Sequence, residues 1–165
     1  MLRSGSLRLV IFLALCTSLF FGGLPAHSQT TTNINKVVSL LQTDQYDFKT
    51  TRSPSVWTVD FKGEHMGAIK VIVALGEGDD ALLVIFVTAV EKRRLHVTTD
   101  FMRTLLEQTH NYDRVKIEYD HDGDLSVRID SSLRVTDAKE FRVIVDQVKN
   151  ASDELYGTIA PQLLN

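Results

Sequence analysis

A single cysteine, Cys16, occurs in 165 residues, so the chain cannot close an internal disulfide. Cys16 follows Leu15, where a lipoprotein signal needs a small residue, and the apolar run continues past it through Leu19, Phe20 and Phe21. It therefore reads as an ordinary small hydrophobe. A basic excess is also missing: 18 lysines and arginines stand against 21 aspartates and glutamates. A mildly acidic chain lacks the positive face that nucleic-acid binding needs. The apolar run at 9–21, broken only by Thr17 and Ser18, falls short of the ~20 residues of a membrane-spanning helix. There is no G-x-S-x-G elbow, no glycine-rich phosphate loop and no H-E-x-x-H pair, which removes the commonest signatures of hydrolases, nucleotide enzymes and zinc peptidases.

What is present begins with Arg3 and Arg8, without any acid, ahead of that apolar run. Gly22, Gly23 and Pro25 then interrupt it, and Ala26-His27-Ser28 places small residues two apart. Charged, apolar and small-residue segments in this order make a secretory signal. The expected cleavage follows Ser28. Residues 1–28 are then a signal peptide and 29–165 one exported domain, periplasmic or secreted, with no stable membrane span once the signal is gone. Cys16 leaves with the signal, so the domain depends on its core alone.

Past Gln29, Thr32 or Asn33 can cap a short helix with Ile34, Val37, Val38 and Leu41 at helical spacing. Trp57, Val59 and Phe61 alternate with Thr58, Asp60 and Lys62, the pattern of a half-buried strand, and Trp57 is expected in the core. A second strand is expected at about 68–75, and a third at 81–90 after the glycine and aspartate turn at 76–80. The third is apolar on both faces, with Leu82, Val84 and Phe86 on one and Leu83, Ile85 and Val87 on the other. A strand apolar on both sides is covered on both sides. Helices supply one cover, and a partner is expected to supply the other.

Thr98 or Thr99 with Asp100 starts a second helix, whose apolar residues are Phe101, Met102, Leu105 and Leu106. Val115, Ile117 and Tyr119 and then Leu125, Val127 and Ile129 form two alternating strands around Asp122-Gly123. A two-residue turn would mix their faces. A three-residue loop pairs Tyr119 with Leu125 and Ile117 with Val127, leaving Gly123 at the left-handed position. Asp137, with Glu140 three residues on, opens a last helix carrying Phe141, Ile144, Val145, Val148, Ala151, Leu155 and Ile159 on one stripe.

Residues with possible chemistry have plainer readings. Asp120, Asp122 and Asp124 lack the spacing of an EF-hand loop, which needs glycine sixth and glutamate twelfth. His65, His96, His110 and His121 stand nowhere three or four apart, so no local element prepares a metal pair. The run Glu91-Lys92-Arg93-Arg94 reads as a solvated turn. No catalytic, cofactor or metal residue is expected.

Phe101-Met-Arg-Thr-Leu-Leu106, Val115-Lys-Ile-Glu-Tyr119, the Asp122-Gly123 turn, Leu125-Ser-Val-Arg-Ile129 and Thr136-Asp-Ala-Lys-Glu-Phe141 together resemble the YbjN-like family, described as candidate sensory transduction regulators of bacteria. The resemblance implies a fold similar to type III secretion chaperones, an α+β domain with an antiparallel sheet in the order α-β-β-β-α-β-β-α. It implies protein binding, regulation or chaperone-like help, and no catalytic residues. Export departs from a cytoplasmic role. The expectation is thus a non-enzymatic exported domain, a homodimer, that binds a protein or peptide through Leu83, Ile85 and Val87. A small-ligand sensor and a metal-dependent hydrolase using dispersed histidines and aspartates are the alternatives.

Overall fold

A computed structural model describes residues 26–76 and 81–164, the side chains from Thr31 onward. The apolar run at 9–21, expected to belong to a signal peptide, and the Asp79-Asp80 pair lie outside the described residues. The elements run α1 (Ala26–Thr43), β1 (Phe48–Thr50), β2 (Val56–Lys62), β3 (Ala68–Leu75), β4 (Leu82–Val90), α2 (Thr99–Thr109), β5 (Lys116–Tyr119), β6 (Leu125–Ser132) and α3 (Ala138–Ile159). This is the expected α+β order with one addition, the three-residue strand β1. Helix α1 also starts earlier than the caps at Thr32 and Asn33 suggested. Nothing between Ala26 and Asn33 breaks a helix, and a cap residue marks a start only where the preceding backbone leaves the helical region.

The six strands form one antiparallel sheet in the order β1-β2-β3-β4-β6-β5. Its registers place Trp57, Val59, Val71, Val73, Leu83, Ile85, Val127 and Ile129 on one face, all buried. Helix α3 lies across β3, β4 and β6 on that face. Its expected apolar stripe is fully used: Phe141, Ile144, Val145, Val148, Ala151, Leu155 and Ile159 are each at most 2% exposed.

The helix starts follow local chemistry. Asp137 accepts the Glu140 N–H at 2.8 Å, and Thr98 accepts the Phe101 N–H at 3.1 Å. Each satisfies one of the orphan donors of a first turn. Helix α1 joins α3 through Arg142, which donates to the buried Asp44 carboxylate. Beside that pair, burial pushes the Tyr46 hydroxyl up to about 12; Asp146 and Asp44 add to the effect and Arg142 opposes it.

The β5–β6 hairpin has the expected register, with Ile117 opposite Val127 and Tyr119 opposite Leu125. Gly123 sits at φ +85°, a left-handed backbone that a side chain would strain.

Candidate functional site

The strands bury one face, and among the described residues no helix is found packed on the other. On the second face the registers set Val56, Ala74 and Val84 in one row and Thr58, Ile72 and Phe86 in the next. Val56, Ile72, Val84 and Phe86 are half-buried, and Leu82 is 40% exposed. Isolated exposed hydrophobes are ordinary, whereas a contiguous apolar patch rimmed by polar groups is the mark of an interaction surface.

The expected partner face, Leu83, Ile85 and Val87, is corrected by this geometry. These three are at most 1% exposed and sit in the chain's own core, beneath α3. The division of β4 into two apolar stripes was right, but the stripes exchange roles. Helices cover Leu83, Ile85 and Val87, and the open side carries Leu82, Val84 and Phe86. The signal lay in the neighbouring strands. Asp60 on β2 and Arg128 and Asp130 on β6 need solvent, and the registers put them on the side of Val84 and Phe86.

Charge borders the apolar centre on both flanks. Toward β5, Arg128 donates to Glu118 at 2.8 Å and to Asp130 at 2.7 Å, and Lys116 reaches the other Asp130 oxygen at 2.7 Å. Burial alone would raise the Asp130 pKa, yet Lys116 and Arg128 outweigh it and hold the carboxyl below its usual range. Toward β1, Lys49 pairs with Asp60 at 2.9 Å and Lys70 stands beside Asp60 in the register. Ser126, opposite Thr88 and Glu118, is 2% exposed, and its hydroxyl has no hydrogen-bond partner among the described residues. The face thus offers a half-buried apolar centre bordered by fixed charges of both signs.

The other singled-out residues are held by structural tasks. Asp120 accepts the N–H groups of Asp122 and Asp124, and Asp124 accepts that of Lys92 at 2.7 Å. These carboxylates shape the turn. His65, His96, His110 and His121 are all exposed, each in a different connecting segment or helix end. Among the described residues no group of three or more His, Cys, Asp or Glu gathers as metal ligands. Residues 92–94 form a short 3-10 turn, in which the Arg94 guanidinium lies 5.9 Å from the centre of the Tyr156 ring. Sequence reasoning missed a polar cleft of about 330 Å³ between the segment before β5 and α3, lined among others by Tyr112, Arg114, Gln147 and Glu154. The Tyr112 hydroxyl donates to Glu154 at 3.2 Å there.

The architecture defines a class: an α+β domain whose antiparallel sheet is packed, among the described residues, by helices on one side. Within that class the fold is YbjN-like. The chain is similar to the crystal structure of YbjN from E. coli, described as a candidate transcription regulator, with a TM-score of 0.56 and 14% sequence identity over 80% of this chain and 94% of that one. No family model matches the chain, and no curated protein matches it significantly.

Proposed function

We propose that this chain is an exported, non-enzymatic regulatory or chaperone-like domain that binds a protein or peptide through the open face of its sheet. The observation that carries this reading is the apolar centre formed by Ile72, Val84 and Phe86, flanked by the paired charges of Arg128, Glu118 and Asp130. A small molecule is better held in a concave, largely enclosed pocket, whereas these residues lie in adjacent rows on the pleated face of a sheet. Export rests on the signal-like order of the first residues and on the small residues of Ala26-His27-Ser28.

Two measurements test the reading. Intact-mass analysis of the exported protein should find its N-terminus at Gln29; a retained Met1 would remove the export half. Cross-linking in the native envelope fraction should trap a polypeptide on the wild-type chain that Phe86→Lys no longer holds while staying folded. Equal capture by both chains would remove the open face as the binding surface.

A further inference from the structure

We propose that a gap between β3 and β4 is a binding site for the free C-terminal end of a polypeptide, with the Arg94 guanidinium receiving its carboxylate. This rests on the reading that the chain binds a polypeptide, and adds which part of the polypeptide is recognised. Strands β3 and β4 pair from Leu75 opposite Leu83 to Ile72 opposite Phe86, and the pairing stops there. Yet β3 begins at Ala68 and β4 runs on to Val90. Over these stretches each strand keeps its other neighbour, β2 on one side and β6 on the other. The sheet is therefore ordered on both sides of the gap and unjoined across it.

The backbone groups that face the gap follow from the bonds around it. Gly76 donates its N–H to the Leu82 carbonyl at 2.7 Å. Antiparallel pairing alternates bonded and non-bonded positions. Ala74 with Val84 and Ile72 with Phe86 are then bonded pairs, and Lys70 with Thr88 would be the next. On the far side of β3 the Gly63 N–H meets the Gly67 carbonyl at 3.1 Å. The same alternation turns Ile69 and Val71 toward β2 and leaves Lys70 toward β4. Lys70 and Thr88 thus direct their N–H and C=O groups into the gap, one row beyond Ile72 and Phe86. Beside them the pairing of β4 with β6 shifts between Thr88 and Val90, and such bulges gather next to sites. Open main-chain donors and acceptors of this kind are what an added peptide recognises.

A cleft of about 280 Å³ opens at the end of the gap, between Met66 on one side and Thr88, Ala89 and Val90 on the other, with Arg94 and Tyr156 also on its walls. Both sides are tied to α3. The Met66 N–H is held by Asp153 at 2.8 Å. Arg94 donates from both terminal nitrogens to the Tyr156 hydroxyl, each at 3.3 Å. That partner is neutral, and among the described residues no acid pairs with Arg94. Arg93 and Glu91, on the same wall, neutralise each other. The cleft therefore carries one unbalanced positive charge. Two of the five N–H donors of a guanidinium are used on Tyr156, which leaves a charged fork for a carboxylate.

These features select one ligand. Alternating main-chain donors and acceptors suit a peptide backbone, and one uncompensated cation suits one anionic group. Met66, half-buried at the rim, offers apolar contact to a terminal side chain. A polypeptide of any sequence brings backbone and carboxylate together at its C-terminus. A free phosphate or small acid would engage Arg94 but leave Lys70 and Thr88 unmatched. A chain lying over Ile72 and Phe86 is one row from the gap, so its end can run into the cleft.

The test uses a pool of random hexapeptides in two forms, with free C-terminal carboxylates and with C-terminal amides. Retention on the immobilised exported protein should favour the acid pool by about tenfold, the least that a charge-assisted hydrogen bond is worth. Arg94→Gln should abolish that preference, and Phe86→Lys should lower retention of both pools alike. Hydrogen exchange read residue by residue by NMR needs no variant. The Lys70 and Thr88 amides should exchange at least about tenfold faster than those of Ile72 and Phe86 in the free protein, and slow when the acid pool is added. Equal retention of the two pools overturns the inference, as does a preference that survives Arg94→Gln in a folded variant. If Phe86→Lys still lowers retention in that case, the open face stands without the gap. An acid preference, with retention that Phe86→Lys leaves intact, keeps the gap and removes the open face. No retention of either pool removes both. Should Arg94→Gln fail to fold, exchange decides: Lys70 and Thr88 amides as protected as those of Ile72 and Phe86 in the free protein overturn the inference.

Discussion

The Asp153 carboxylate on α3 accepts the backbone N–H of Met66 at 2.8 Å, joining the β2–β3 connection to a helix distant in sequence. The same carboxylate accepts the N–H groups of Glu64 at 2.7 Å and His65 at 3.0 Å. Three backbone donors converging on one carboxylate hold the tip of the hairpin down on the helix.

This clasp has a pH signature. Burial alone would raise the Asp153 pKa, but the three N–H groups and nearby His65 outweigh it and hold it below the ordinary value. A carboxyl whose folded pKa is depressed stabilises the protein above its unfolded pKa of about 3.9, and the contribution is lost as pH falls through the folded value. Asp153→Asn should therefore lower the urea midpoint at pH 7 and flatten its fall on the way to pH 3. Asp130, also depressed, keeps part of that slope. Asp153→Ala should cost about 1.5–3 kcal/mol, the range for hydrogen bonds to a charged group. A midpoint unchanged at pH 7 would show that the clasp contributes nothing.

The same loop accounts for a glycine inside α3. A Cβ placed on Gly157 would stand 2.7 Å from Cγ of the His65 ring, closer than real side chains approach. Replacing a helix-interior glycine by alanine ordinarily gains about 1 kcal/mol. Here Gly157→Ala should destabilise, because the loop held by Asp153 cannot withdraw freely. In a His65→Ala background the same change should stabilise. The coupling in this double-mutant cycle, read from chemical unfolding, should reach about 0.5–3 kcal/mol. Additive effects would mean that the ring does not rest on the helix.

Parts of this architecture were legible in the sequence because they depend on neighbours along the chain. The start of α3 is set by Asp137, and its buried face by the stripe from Phe141 to Ile159. The hairpin register follows from matching the faces of two alternating strands, which forces Gly123 into the left-handed region. The clasp was not legible, since its donors are backbone N–H groups that leave no mark on residue type. Neither was the outward face of β4. Both of its stripes are apolar, so periodicity within the strand cannot separate them, and the distinction comes only from the charged side chains of β2 and β6.

The two stripes of β4 make the sharpest comparison, because adjacent residues should respond oppositely to one substitution. Ile85 is wholly buried, between Val73 and Ile129 in the register. Lysine there would place an ammonium in the core without a counter-charge, and an unpaired buried charge is among the largest single penalties known. Domains of this size have only about 5–15 kcal/mol of stability, so Ile85→Lys should leave the chain largely unfolded. Phe86, the next residue, lies between Ile72 and Arg128 on the open face. Lysine there can reach solvent along its aliphatic stem, and the loss should stay near 1 kcal/mol, typical of substitutions outside the core. Near-ultraviolet circular dichroism of the buried Trp57 reads both outcomes, collapsing for Ile85→Lys and persisting for Phe86→Lys. If Phe86→Lys unfolds the chain as completely as Ile85→Lys does, the second face is covered after all, and the open-face reading of the sheet fails with it.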